Sequence, residues 1–184
     1  MMERLQTPEA IRQRIWQELV RSSRDRHHAW RTPALATLGP DQRPDARTVV
    51  LRHVDEAAER LEIYTDMRSP KRAALEQAPW ALFLFWSHRL RWQLRVSVRV
   101  SVIDTGPRVE QLWSQVKNTS AAADYLSPNP PGSALEACTQ VEAPARHWFG
   151  IIDAQVCEID WLELGSVEHR RARLTRDSWQ WLNP

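Results

Sequence analysis

Lysine is almost missing from this chain. Only Lys71 and Lys117 occur among its 25 basic residues, which leaves 25 − 2 = 23 arginines. Glycine is scarce as well: Gly39, Gly106, Gly132, Gly150 and Gly165 are the full set. No two of them are close enough for a glycine-rich dinucleotide turn or a phosphate-binding loop. Any phosphate held here must therefore be held by side chains and a helix start. The two cysteines, Cys138 and Cys157, supply neither a disulfide framework nor a metal-ligand spacing, and no metal site is expected. Long apolar runs are absent too. The longest, Ala78 to Trp86, is interrupted by Pro79 and is too short to cross a bilayer. The opening MMERLQTPEAIRQR lacks the apolar stretch of a secretory leader. A cytoplasmic protein with no membrane partner is the expectation. The net charge of +2 is too small to call for a polyanion.

What is present describes one mainly β domain over residues 1–184 with peripheral α-helices. Thr7 caps and Pro8 starts an amphipathic helix over 8–21, with Ile11, Ile15 and Leu19 on its apolar stripe. His27 and His28 follow on a polar connector, where solvation is the expected state. Pro33–Leu38 reads as a first strand closed by a turn at Gly39. Leu90 to Ile103 alternates without a fault: Leu90, Trp92, Leu94, Val96, Val98, Val100 and Val102 on one face, Arg91, Gln93, Arg95, Ser97, Arg99 and Ser101 on the other. That is a long strand with one buried face, and a strand of this length tends to bend around a barrel. Its arginines invite a nucleic-acid reading, but Trp92 falls on the apolar side and leaves no exposed stacking platform. No nucleic-acid partner is expected. Pro107–Asn118 reads as a helix, with a helical continuation through Tyr125, a rigid loop at Pro128–Gly132 and a short helix over Ser133–Glu142. The C-terminal part reads as strands Trp148–Ile152, Val156–Leu164 and Arg171–Thr175, closed by Trp179–Leu182. Core filling is the expected role of most of the ten tryptophans.

The chemistry concentrates between residues 47 and 95. ARTVVLRHV alternates as one strand, with Arg47, Val49 and Leu51 on one side. A guanidinium on an otherwise apolar face needs a carboxylate or an anionic ligand. In SPKRAALEQ, Ser69 stands at a helix N-cap and Pro70 at the first helical position, which puts Lys71 in the first turn. A lysine is unfavourable there unless an anion joins it. Arg47, Thr65, Ser69 and Lys71 together compose a phosphate cradle. The other reading pairs Arg47 with a carboxylate and sends Lys71 to solvent.

The order of the pieces resembles the pyridoxamine 5′-phosphate oxidase family, whose FMN-binding pattern runs R-x-V-x-L-K, Y-T, S-R-K, then F-Y-W-x-x-L-x-R-Q-V-R-V. The corresponding stretches are Arg47-Thr-Val-Val-Leu-Arg52, Tyr64-Thr65, Ser69-Pro70-Lys71, and Phe85-Trp86 followed by Arg91-Trp92-Gln93-Leu94-Arg95-Val96. The resemblance implies an FMN-binding split barrel and an FMN-dependent oxidoreductase acting on a small molecule, with a homodimer that places flavin at its interface. It implies that Arg47, Thr65, Ser69 and Lys71 hold the flavin phosphate, with Val49, Leu51, Arg52 and Tyr64 lining the same core, Gln93 at the ring edge, and Trp161 and Arg171 completing the site. Arg52, Tyr125, Asn129, Ser133 and His169 fall on the family's substrate positions, and His169 is the candidate catalytic group. The substrate side departs from the family: Asn129 and Val167 replace arginines, and Glu142-Ala143 replaces a Gln-Ser pair. This pattern is closer to an uncharacterised FMN-binding branch than to a vitamin B6 oxidase. A true pyridoxamine/pyridoxine 5′-phosphate oxidase and a non-catalytic flavin carrier are the alternatives.

Overall fold

The computed structural model describes residues 5–39, 41–134 and 146–184. In chain order the elements are α1 (Pro8–Arg24), β1 (Ala34–Leu38), β2 (Pro44–Thr48), β3 (Leu51–Asp55), β4 (Arg60–Asp66), α2 (Pro70–Gln77), β5 (Trp80–Ser87), β6 (Trp92–Ile103), α3 (Pro107–Val116), α4 (Ala123–Leu126), β7 (Phe149–Glu163), β8 (Arg170–Leu174) and β9 (Trp179–Leu182). All strand pairs are antiparallel. The sheet runs β2-β1-β5-β6-β7-β4-β3, with β8 and β9 branching from β7.

ARTVVLRHV is not one strand. Its first half pairs with β1 and its second half with β4, at opposite ends of the sheet path. Only Val49 and Val50 separate those ends. Three residue steps span at most about 11 Å, so the two edges lie side by side and the sheet closes on itself. The crossing is held by Val49 N–H donating to Pro33 O (3.0 Å) and Leu51 N–H to Arg31 O (2.9 Å). This closure gives the split barrel, mainly β with helices outside it.

β6 folds as its alternation predicts: Trp92, Leu94, Val96, Val98 and Val100 are buried. Its neighbour β7 is one strand of 15 residues, where two separate strands were expected. The polar residues that suggested a break are satisfied in place. Asp153 takes a guanidinium bond from Arg60 at 2.5 Å, and Gln155 Nε2 donates to Ala58 O (3.0 Å) and Glu59 O (3.2 Å). The irregularity is only a bulge, because Ser97 faces Glu158 while Val98 faces Val156, leaving Cys157 as the extra residue.

α1 closes the barrel floor. Thr7 Oγ1 accepts from Ala10 N–H at 3.2 Å, and Ile11, Ile15, Trp16 and Leu19 are buried on the barrel core. Each fully buried Ile or Leu contributes about 1.5–3 kcal/mol. The helix runs one turn past the expected end. Its extra turn carries the buried Ser22, whose hydroxyl donates to Leu19 O at 2.7 Å. One turn earlier, Glu18 is buried yet accepts from Arg89 at 2.8 and 2.9 Å, pairs with Arg14 at 2.6 Å, and meets His28 Nε2 at 2.7 Å. His28 is thus an interior partner, not a solvated loop residue. Burial pushes the Glu18 carboxyl up, but the His28 and Arg89 hydrogen bonds and the Arg89 and Arg14 charges outweigh it and hold the group below its usual range. α3 ends two residues earlier than expected. Of the proposed Ser133–Glu142 helix, Ser133 and Ala134 are not helical, and the rest, with Cys138 and Glu142-Ala143, lies outside the described residues.

Candidate functional site

The start of α2 and the β1–β2 hairpin build the first part of the site. Ser69 has the extended backbone of an N-cap, φ −68° and ψ 144°, but its hydroxyl does not cap the helix. It lies 3.1 Å from Thr65 Oγ1 instead and accepts from Lys71 Nζ at 3.1 Å. The first-turn N–H groups of α2 therefore receive no side-chain cap. Arg47 points to the inner face, opposite Leu35, where its Nη1 donates to Thr37 Oγ1 (2.8 Å) and Leu35 O (3.2 Å). Its Nη2 pairs with the exposed Asp45. Sequence reasoning missed Thr37, though its place two residues after Leu35 in a strand put it on the Arg47 face.

Lys71 has no ion-pair partner among the described residues. Burial, then the charge of Arg47, pull its pKa below the ordinary lysine value, and Asp66 opposes them only in part. Asp66 is already engaged by Arg68 at 2.7 Å. Two cations, two hydroxyls and an uncapped helix start thus converge with surplus positive charge, which is the chemistry of an anion site.

A second cluster forms across the barrel seam. Leu51 pairs with Ile63 and His53 with Glu62, so Arg52 is the extra residue of a β-bulge. Bulges re-aim side chains. Arg52 carries its guanidinium to 5.4 Å from the Tyr64 ring, and its Nε is buried without a partner among the described residues. Its charge reaches Tyr125 and lowers the pKa of that phenol in part, while burial, the larger effect, pushes it up. Tyr125 is fixed by its edge-on contact with Phe149, 5.1 Å between centroids. Arg52, Tyr64 and Tyr125 therefore come together in one cluster. Asn129 and Ser133 do not join them: both are exposed, and Ser133 Oγ donates to Pro130 O at 2.8 Å. His169 is exposed and Val167 is 99% exposed.

The remaining expected residues divide between the core and the outer face. Val49 and Leu51 are buried, so only their backbone can face a ligand. Trp161 departs from the expectation of a flavin contact. Its indole is 0% exposed in its own chain's core, 5.3 Å from the Trp92 ring. Gln93 sits in one cross-strand row with Trp86, Leu162 and Arg171 on the outer face, opposite to the face Arg47 occupies. Arg171 donates to both oxygens of Asp160, at 2.9 and 2.7 Å. Among the described residues no cluster of three or more His, Cys, Asp or Glu side chains is placed to hold a metal ion, and no helix is long and apolar enough to cross a membrane.

Comparison with known proteins identifies this arrangement. The profile of the "Pyridoxamine 5′-phosphate oxidase, FMN-binding domain" matches residues 13–104, which hold both clusters apart from Tyr125. The chain belongs to that family. Its matched domain is the FMN-binding one of the pyridoxamine 5′-phosphate oxidases. Among curated relatives it is 39% identical over 70 residues to "Pyridoxine/pyridoxamine 5′-phosphate oxidase 2" of Arabidopsis thaliana, covering 38% of this chain and 35% of that one. It is 31% identical over 112 residues to the pyridoxine/pyridoxamine 5′-phosphate oxidase of a Cyanothece species, covering 60% and 45%. The matched region thus spans less than half the length of these relatives. A pyridoxamine 5′-phosphate oxidase-related, FMN-binding protein of Nostoc punctiforme superposes with a TM-score of 0.71 at 23% identity, over 100% of both chains. PhzG of Burkholderia lata, solved with tetrahydrophenazine-1-carboxylic acid, superposes at 0.74 with 19% identity over 98% of both. Both share the fold of this pyridoxamine 5′-phosphate oxidase-like protein along its whole length.

Proposed function

We propose that this protein is an FMN-dependent oxidoreductase for a small anionic substrate and that it works as a homodimer. The observation that carries the reading is the pairing of Lys71 with Arg47 beside the Thr65–Ser69 hydroxyls, without a carboxylate close enough to pair with Lys71. FMN fits this cradle because it ends in one phosphate dianion. A pyrophosphate cofactor lacks the glycine-rich turn it would need. When bound, the flavin ring supplies a two-electron acceptor. The chain's own work is to grip the phosphate through Arg47, Lys71, Thr65 and Ser69, and to hold a substrate anion through Arg52 and Tyr125.

The dimer is supported by an apolar strip on the outer face. Trp80 is 55% exposed, Leu84 40% and Leu38 41%, side by side on β5 and β1. Aromatic and aliphatic residues massed on one face suit a protein interface. Burying it would also bring the Gln93–Arg171 row of one chain against a second chain.

The test is direct. The purified protein should bind one FMN per chain and bind FAD poorly, and an anaerobic substrate panel should bleach the flavin with at least one phosphate-bearing or carboxylate-bearing compound. Protein that holds FMN but is reduced by none of them is a flavin carrier; protein that holds no flavin refutes the reading. A pyridoxine/pyridoxamine 5′-phosphate oxidase is the second reading, favoured by the Arg52–Tyr125 contact. Asn129 and Val167 stand against it.

A further inference from the structure

We propose that Arg31 supplies the second cation of the substrate-anion pocket, beside Arg52, in place of the arginine that this chain lacks at Asn129. The inference rests on the reading of Arg52 and Tyr125 as the substrate end of the site.

Arg31 precedes β1 and lies on the barrel seam. Its carbonyl accepts from Leu51 N–H at 2.9 Å, and its own Nη1 donates to Leu51 O at 2.5 Å. It is therefore bound, through both its backbone and its side chain, to the residue just before Arg52. Nη1 also donates to Ser23 O at the end of α1, at 2.5 Å. Those two bonds use one nitrogen of the guanidinium fork. Neither Nη2 nor Nε has an acceptor among the described residues, and neither Arg31 nor Arg52 has an ion pair there. Arg52 Nε is buried and equally unmatched.

Half-buried arginines elsewhere in the molecule are matched. Arg68 has Asp66, Arg170 has Glu163 and Arg171 has Asp160. Arg31 and Arg52 are an exception at one place. Burial and then the charge of Arg52 lower the pKa of Arg31, and Tyr64, a phenol whose own pKa burial raises, opposes them only in part. An arginine keeps its proton under these conditions, so the two charges repel each other. A bridging dianion removes that repulsion and takes the free donors of both forks. Tyr64 and Tyr125 add hydroxyls beside it. A phosphate monoester matches this donor set, and Asn129, out on its exposed loop, is not needed.

The experiment measures binding, not turnover. Pyridoxal 5′-phosphate and unphosphorylated pyridoxal serve as probes, titrated by calorimetry with and without FMN, with inorganic phosphate as competitor. Arg31→Gln keeps a donor for the Leu51 and Ser23 carbonyls but removes the charge; Arg31→Lys restores it. Arg31→Gln should weaken the phosphorylated probe about 10- to 100-fold, leave pyridoxal and FMN affinity unchanged, and be partly rescued by Arg31→Lys. Thermal melting reports separately on the carbonyl clamp. A purely structural Arg31 would lower the melting temperature while leaving the ratio of the two probe affinities at its wild-type value, which overturns the proposal. Wild-type protein that prefers neither the phosphorylated probe nor phosphate overturns it too. Absence of FMN binding refutes the proposed function alone, since the probe ratio can be read without flavin.

Discussion

Replacing Lys71 by Met should move the stability of this protein in opposite directions with and without its cofactor. The side chain sits 3.1 Å from Ser69 Oγ, in a largely buried position, and shares its surroundings with the Arg47 charge. In the flavin-free protein that charge is a liability. Its pKa is depressed, so the unfolded chain, at the ordinary 10.5, binds more protons than the folded one. Stability then rises as pH climbs from the depressed value towards 10.5, and the penalty is complete below it. Lys71→Met removes the penalty, so the flavin-free variant should melt higher than wild type at neutral pH, and the gap should shrink as pH approaches 10.5. With FMN present the sign reverses. Loss of one charge-assisted phosphate contact is worth about 1.5–3 kcal/mol, hence roughly 10- to 150-fold in FMN affinity. At FMN concentrations far above both dissociation constants, that difference appears in full as lost ligand stabilisation. It corresponds to a lowering of about 3–12 °C for a chain of this size. Differential scanning fluorimetry with an FMN titration at several pH values reads both limbs. A variant that binds FMN as tightly as wild type, or that melts lower without it, would refute the argument.

Four further outcomes are expected. Glu18→Gln should cost about 1.5–3 kcal/mol in chemical denaturation, because it removes the charge from a buried carboxylate's hydrogen bonds while Arg14 and Arg89 stay partly solvated; wild-type protein should lose stability as pH falls below 4.5 through the lowered Glu18 pKa, since the contribution is present only above it. Gly150→Ala should destabilise by about 1–3 kcal/mol, as an added methyl would meet Met67 Sδ at 2.2 Å and the fixed Ile103 carbonyl at 3.2 Å; an unchanged urea midpoint would show that Met67 simply swings aside. Trp80→Glu with Leu84→Glu should give monomers in sedimentation and reduce FMN affinity; a dimer that survives both changes excludes the β5 face as its interface. Pyridoxine 5′-phosphate should be turned over well below about 1 s⁻¹, and ordinary turnover would make the oxidase reading correct.

Periodicity carried the long strand β6 and the helix α1, because both bury a single face whose spacing shows in the letters. The order of short pieces around Arg47, Thr65, Ser69 and Lys71 carried the family. What stayed hidden is of another kind. ARTVVLRHV alternates perfectly, and nothing local says that its two halves pair with opposite ends of the sheet. The Arg52 bulge depends on the register against β4, a relation between distant residues. Asp153 and Gln155 looked like a strand break because their partners, Arg60 and the Ala58–Glu59 carbonyls, lie about a hundred residues earlier. Trp161 could be a stacking platform or core, and only the closing of β8 and β9 around it decided for core. His28 looked solvated until α1 delivered Glu18 to it.

The two-residue crossing at Val49–Val50 is also a ruler. Arg47 and Arg52 stand on its two sides, five residues apart in a nearly extended chain, so their Cα atoms can never be more than about 18 Å from each other. Each belongs to a different cluster of charge. Their separation is therefore set by covalent geometry, not by a hinge, a loop length or the docking of one layer on another. An insertion at this point would alter the spacing between the two clusters of charge and open the seam of the barrel at the same stroke.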